Sequence, residues 1–230
     1  MSLTYSQYVT ELALLAVIPS DDASFLSNLP SAIDYAEERC YRELNLLATV
    51  VRDSSSSATA NSRNFTLPSS LGRFVVVNGM NIVSPAGAGV SSGTRNPLMQ
   101  ATRDYIDYAW PSNTAASSAT IPQYFAPITD QDFIFGPPPG AGFTVEVVGT
   151  IRPTALSASN TTTFLSLYLP DLFLMASMVF IAGYKQNYSA QGDNPGEAVS
   201  WESQYIKAFA SANTEETRRR YGMGKWGKVA

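Results

Sequence analysis

One stretch of the sequence stands out, Asp132–Pro153, which reads DFIFGPPPGAGFTVEVVGTIRP. Two of its segments, Asp132–Phe135 and Phe143–Ile151, are rich in the aromatic and β-branched residues that strands favour. The link between them, Gly136–Gly142, consists of glycine, proline and alanine and is typical of a rigid turn. Arg152-Pro153 ends the second segment, because proline cannot donate a hydrogen bond to a strand ladder. The sequence therefore predicts two consecutive strands here.

Shorter strands are predicted upstream of this stretch. They are Thr49–Arg52, Asn64–Leu67, Arg73–Val77, Met80–Val83 and Gln123–Ile128. Asn78-Gly79 lies between two of them, and an Asn-Gly pair in that setting is a strong hairpin signal. Polar stretches rich in Ser, Gly and Ala are predicted to be loops: Asp53–Ser62, Ser84–Arg95 and Ser112–Thr120.

Apolar residues spaced three and four apart predict helices on both sides of these strands. The helices are expected at Thr4–Ile18, Leu29–Ala48, Leu98–Tyr108, Pro170–Gln186 and Glu197–Tyr221. Asn96 is the expected N-cap of the third helix. In the second helix, Cys40 falls among apolar positions and is interpreted as a small core residue, whereas Glu37 and Arg39 are assigned to the solvent side.

Helices at both ends with strands between them predict an α+β fold. The N- and C-terminal parts would form an α-helical bundle, and the middle of the chain would be a β-rich insertion. We expect a single domain of 230 residues. Its helical parts are about 1–48, 96–110 and 164–221, its β-rich parts are about 49–95 and 121–153, and residues 222–230 form an extended C-terminal tail.

Composition excludes several classes of enzyme. The chain has no histidine and only one cysteine, so neither a Ser-His-Asp triad nor a Cys-His pair is possible. Zinc sites built on histidine or on several cysteines within one chain are excluded for the same reason. Charged residues make up 15% of the chain, against about 25% in average soluble domains, which indicates that partners cover part of the surface.

Carboxylate pairs are the remaining candidates for acid–base chemistry without histidine. Asp130 with Asp132 lies at an expected turn, and Asp104 with Asp107 lies on a short helix beside Arg103. Both arrangements are also typical of ordinary turn capping and of a solvated helix face. We therefore expect no enzyme activity, no catalytic residue, no metal and no cofactor, and a carboxylate-based hydrolase or lyase stays open as an alternative.

Charge is distributed unevenly along the chain. The formal net charge is -4, yet the last 16 residues hold five basic side chains and two acidic ones, so residues 1–214 carry -7. A basic end on an acidic body suggests docking to a partner, with Trp226 as an aromatic anchor. The expected docking residues are Arg218, Arg219, Arg220, Lys225, Trp226 and Lys228. A solvated, frayed terminus is the alternative.

Several segments together resemble the head-to-tail adaptor family of tailed bacteriophages, also called connector or tail tubular protein A-like proteins. The resemblance is carried in chain order by Phe65–Val77, Ile121–Phe125, Asp132–Pro139, Phe143–Pro153, Thr163–Leu165 and Tyr168–Ala176, after an N-terminal helix pair. In that family a strand ending in a proline-rich turn precedes a strand closing in Arg-Pro, and a helix then opens near Pro-Asp-Leu.

The resemblance implies a structural virion protein at the neck between head and tail, made in the host cytoplasm. Such proteins assemble into a ring, commonly of twelve copies, between the portal protein and the next tail or nozzle protein. DNA passes through the ring without sequence-specific binding, and no membrane is involved. The C-terminal tail of the family reaches the portal, which places Arg218–Ala230 there. A carbohydrate- or partner-binding β module of a virion is a further alternative.

Overall fold

The computed structural model describes the backbone of residues 2–188 and 195–225 and the side chains of residues 2–183 and 200–221. Within these residues the fold contains six α-helices and eight β-strands, so the α+β class is confirmed. The helices are α1 Tyr5–Ala16, α2 Ala23–Glu43, α3 Arg103–Ala109, α4 Phe164–Tyr168, α5 Pro170–Tyr188 and α6 Pro195–Lys225. The strands are β1 Val50–Ser57, β2 Asn64–Thr66, β3 Arg73–Ser84, β4 Thr94–Pro97, β5 Met99–Gln100, β6 Tyr124–Pro127, β7 Asp132–Gly136 and β8 Thr144–Arg152.

Two compact units divide the chain. The helical unit consists of Met1–Ala48 and Thr154–Ala230, and the β unit is Thr49–Pro153. The β unit is therefore an insertion within the sequence of the helical unit, because the chain leaves the helical unit once and returns once. That all 230 residues behave as one domain stays a prediction.

The helical unit is built around one apolar cluster to which α1, α2, α4, α5 and α6 all contribute. Asp22 begins α2 by accepting a hydrogen bond from the backbone N–H of Phe25 at 2.8 Å, so α2 starts six residues before the predicted Leu29. Tyr8 of α1 stacks on Phe173 of α5 with ring centroids 4.4 Å apart. Cys40 is buried in this cluster, as predicted, and burial raises its pKa to about 12.

Two residues of α2 contradict the solvent-side prediction. Glu37 is only 4% exposed, and one of its carboxylate oxygens accepts a hydrogen bond from the backbone N–H of Leu156 at 3.1 Å. The guanidinium of Arg39 is bound by both carboxylate oxygens of Glu202 on α6, at 2.5 and 2.8 Å. Helical periodicity within α2 could not reveal either contact, because both partners come from segments more than a hundred residues away.

The buried carboxylate of Glu37 makes stability depend on pH. Burial is the main cause that raises its pKa from 4.5 to about 7, and the negative charge of Asp34 adds to it. The folded protein therefore binds this proton more tightly than the unfolded chain does. The stability that the proton contributes is complete below pH 4.5 and is lost as the pH rises towards 7.

We expect the free energy of unfolding to fall by about 3 kcal/mol between pH 5 and 8, and Glu37→Gln to abolish most of this fall. No histidine titrates in this interval, since the chain has none. Urea denaturation at several pH values measures the effect, and Glu38→Gln, at an exposed position on the same helix, is the matched control. Equal pH slopes for the wild type and Glu37→Gln would contradict the assignment.

The β unit contains two four-stranded sheets. The first has the order β1-β8-β3-β4 with all pairs antiparallel, and the second has the order β2-β7-β6-β5 with β5 parallel to β6. Both sheets contribute to one aromatic-rich apolar cluster, whose largest members are Phe65, Phe74, Phe125, Phe133, Phe135 and Phe143. Strand β8 pairs with β1 on one side and with β3 on the other, so it is a central strand of the first sheet.

The hairpin predicted at Asn78-Gly79 is wrong. Strand β3 runs without interruption from Arg73 to Ser84, because β8 pairs with the segments on both sides of Asn78. Asn78 occupies a bulge in this ladder, and a second bulge falls between Phe74 and Val76. Gly149 of β8 permits this close approach, since a Cβ atom there would lie 2.3 Å from the carbonyl oxygen of Val76.

Other boundaries also differ from the prediction. Part of the expected loop Asp53–Ser62 belongs to β1, because its serines pair with Val145 and Thr144 of β8. The helix expected at Leu98–Tyr108 begins only at Arg103, where Thr102 caps it, and the residues before it form β4 and β5. Helix α6 continues to Lys225, so residues 222–225 are helical and do not form an extended tail.

Candidate partner-binding surface

The predicted docking residues lie at or beyond the end of α6. Arg218, Arg219 and Arg220 occupy its last described turns, and Lys225 is its last residue. Trp226 and Lys228 lie outside the described residues. The helix therefore carries the basic segment on a regular scaffold as far as Lys225.

Arg219 is bound within its own helix. Its guanidinium donates to Glu216 at 2.8 Å and to Glu215 at 2.5 Å. The carboxylate of Glu216 is buried and also accepts a hydrogen bond from the backbone N–H of Leu47 at 3.1 Å. The bond between Leu47 and Glu216 fixes α6 to the segment that follows α2. Arg219 has a structural role because it neutralises the carboxylate that makes this bond.

Arg220 makes a second link between the same parts of the helical unit. Its guanidinium donates to the backbone carbonyl and to the side-chain oxygen of Asn45, at 2.7 and 2.6 Å. Arg218 is exposed and has no ion pair with any residue whose side chain the structure describes. Arg220 is exposed as well, and its contacts to Asn45 are with uncharged oxygens, so the charges of both Arg218 and Arg220 face solvent.

The carboxylate candidates for catalysis are engaged by neighbouring side chains. Asp130 forms an ion pair with Arg73 at 2.5 Å, and this contact holds its pKa below the usual range. Asp132 accepts hydrogen bonds from the hydroxyl groups of Thr66 and Thr129, at 2.8 and 3.0 Å. A general acid needs a raised pKa and a free proton, which an ion-paired, ionised Asp130 does not offer.

The second carboxylate pair has a similar structural use. Asp107 binds Arg63 at 2.9 Å and Arg103 at 3.4 Å, while Asp104 occupies the first turn of α3, where a negative charge stabilises the helix dipole. Within the described part of the chain, no group of three or more carboxylate or cysteine side chains could hold a metal ion.

A buried ionic group in the β unit was missed by the sequence analysis. Glu146 of β8 is completely buried and accepts hydrogen bonds from Asn81 at 2.8 Å and from Arg95 at 3.0 Å, with Arg52 at 3.5 Å. Burial alone would raise the pKa of Glu146, but the hydrogen bonds and the two positive charges together hold it below its usual value. The sequence contained one indication of this group, namely the charged Glu146 among the mostly apolar residues of the predicted strand Phe143–Ile151.

No helix among residues 2–188 and 195–225 is both long enough and apolar enough to cross a membrane.

The structure shows a helical unit with a β-rich insertion, and the carboxylates considered for catalysis are engaged in ion pairs and hydrogen bonds. The family model of the SU10 adaptor protein matches residues 3–226, and the chain belongs to this family. The family is of the phage head–tail adaptor type, so the chain is a structural adaptor protein and a component of the virion. No curated protein matches the chain.

Proposed function

We propose that this adaptor forms a ring that joins the portal of the phage head to the tail and lets DNA pass through its centre. The observation that carries the proposal is the family match over residues 3–226, which covers both structural units. The tail tubular protein A-like branch and a ring of twelve copies remain the finer expectations.

The charge distribution supports this role. Residues 1–214 carry -7, and a protein that surrounds moving DNA must avoid holding its phosphates. A low charged fraction of 15% suits a subunit with large contacts to other chains. When one surface patch repeatedly contacts a different patch on the next copy, the contacts close into a ring if the rotation permits.

The end of α6 and the residues after it are the proposed portal-docking segment. Arg218 supplies an exposed positive charge, and Lys225, Trp226 and Lys228 follow in sequence. Arginine and lysine would pair with carboxylates of the portal, around an aromatic anchor at Trp226. Arg219 and Arg220 stay in the proposed docking set, and their contacts to Glu216 and Asn45 also hold this end of α6 in place.

The proposal is tested by mixing the purified protein with the purified portal protein of the same phage. Sedimentation and negative-stain electron microscopy should show a complex with a fixed number of adaptor copies per portal ring and an open central hole. The adaptor alone is not decisive, because the portal can nucleate assembly. Binding of single copies at irregular positions, or none, would contradict the proposal.

A further inference from the structure

The outward surface of the first sheet is rich in arginine. On β8, Val145, Val147 and Ile151 point into the apolar cluster, so the alternating residues between them lie on the opposite face of the sheet, where Glu146 is covered by neighbouring side chains. Cross-strand pairing brings neighbours onto the same side, as Arg73 opposite Arg152 and Val83 opposite Arg95 illustrate. This arginine face consists of Arg52, Arg73, Arg95 and Arg152, with Val76, Asn81, Glu146 and Val148 among them.

The composition of the arginine face is that of a protein-binding surface. Four of the six basic residues of the β unit lie on it, and the unit contains no lysine at all. Glu146 pairs with Arg52 and Arg95, and Asp130 pairs with Arg73. Exposed valine accompanies the charges, since Val76 is 51% exposed. Arginine with apolar residues and without lysine is typical of protein interfaces.

Two of the guanidinium groups, those of Arg73 and Arg95, are held by carboxylates within the β unit before any partner arrives. The buried carboxylate of Glu146 binds Arg95 and lies beside Arg52. Arginine has a rigid, planar set of donors that matches a carboxylate, and fixing its position reduces the entropy lost on binding. The arginine face is therefore prepared for carboxylates that arrive from outside the β unit.

A surface of opposite charge exists on α2 of the helical unit. Leu26, Pro30, Asp34 and Glu38 are spaced four residues apart and are all exposed, so they form one stripe along the helix, which ends at the exposed Arg42 one turn further on. Tyr35, also exposed, lies beside this acidic stripe. Asp34 has no ion pair within the described residues. Both surfaces combine charged and apolar side chains, and their charges are opposite.

We propose that the arginine face of one copy docks onto the acidic stripe of the next copy in the ring. The inference rests on the proposed ring and names the two surfaces that would build it. Because the surfaces differ, the contact is heterologous, the kind that can close around a rotation axis. DNA phosphates are the competing ligand for arginines, and the exposed valine makes them the less suitable one.

Cysteine cross-linking in tail-bearing particles tests the proposal directly. The natural Cys40 is buried, with a pKa of about 12, and stays unreactive towards maleimides. We expect the double variant Val76→Cys/Asp34→Cys, treated with a short bismaleimide, to give a ladder of covalent oligomers. Each single variant should stay monomeric. The control pair Tyr108→Cys/Asp34→Cys, with the 88% exposed Tyr108 on α3, should give no ladder.

Charge reversal gives an independent readout. Arg73→Glu should reduce incorporation into particles at least tenfold, and Asp34→Arg in the same chain should restore it. Arg103→Glu is the matched control, because Arg103 is 60% exposed and Arg73 is 67% exposed. Arg73 and Arg103 make no contact with Glu146, so we expect the β unit to stay folded in both glutamate variants.

The outcomes separate this inference from the ring itself. If microscopy shows the ring while the double cysteine variant gives no ladder and Arg73→Glu has no effect, the docking inference is wrong and the ring stands. Dimers from Val76→Cys alone would indicate like surfaces in contact and would also overturn it. Photo-cross-linking from position 76 to packaged DNA would assign the arginine face to phosphates. Particles with no ring would refute the proposed function.

Discussion

Deleting Met223–Ala230 should leave the protein folded and abolish its attachment to the portal. The deletion removes the last three helical residues of α6 and the segment that carries Trp226. It spares the contacts of Glu216 and Arg220, which hold α6 to the residues after α2. Folding is checked by circular dichroism and thermal unfolding, and attachment by sedimentation with the portal.

The single substitution Trp226→Ala should account for much of this loss. A buried aromatic anchor at the centre of an interface contributes about 2 kcal/mol or more, which corresponds to roughly 30-fold in the dissociation constant. Trp226→Phe keeps an aromatic ring and should bind better than Trp226→Ala. Normal yields of filled, tail-bearing particles from the truncated protein would show that the segment is a frayed terminus and that the docking proposal is mistaken.

Removing both arginines that neutralise Glu146 should destabilise the β unit strongly. In Arg52→Ala/Arg95→Ala, the carboxylate of Glu146 loses both positive neighbours, and Asn81 still donates to it. Leaving a fully buried charge without a counter-charge costs about 3–5 kcal/mol, which is the upper bound here because the truncated side chains also admit water to the carboxylate. Urea denaturation of the full chain measures this change in the free energy of unfolding.

The matched rescue is Glu146→Gln in the double-alanine background. Glutamine keeps the shape and the hydrogen bond to Asn81 but carries no charge, so most of the lost stability should return. The difference in the free energy of unfolding between the wild type and the double-alanine variant should be smaller at low pH than at neutral pH, because Glu146 can take up a proton there. If the double-alanine variant unfolds at the wild-type urea concentration, the buried ionic group contributes no stability and the argument for prearranged arginines fails with it.

The sequence predicted strands best where strand chemistry was concentrated. The segment Phe143–Ile151 is β8, and its β-branched residues were sufficient to identify it. The hairpin prediction at Asn78-Gly79 failed because β8 forms strand pairs with the residues before and after this dipeptide. Those pairs keep β3 extended despite the local turn signal. Gly149 makes that pairing possible, but its effect depends on a partner strand that no local window contains.

Buried charges were the least predictable feature. Glu37 and Glu146 are polar by sequence, and their burial depends on a backbone N–H of Leu156 and on two arginines from other strands. The basic C-terminus was recognised from composition alone. The contacts of Arg219 with Glu216 and of Arg220 with Asn45 were not, since they depend on how α6 packs against the segment after α2.

A cryo-electron microscopy reconstruction of the neck of intact particles would reveal how many copies of this chain lie there and what they contact. We expect a closed ring of copies directly against the portal, with DNA along its central axis and the C-terminal segment of each copy in contact with the portal. A neck that contains a single copy of the chain, or none, would contradict this expectation.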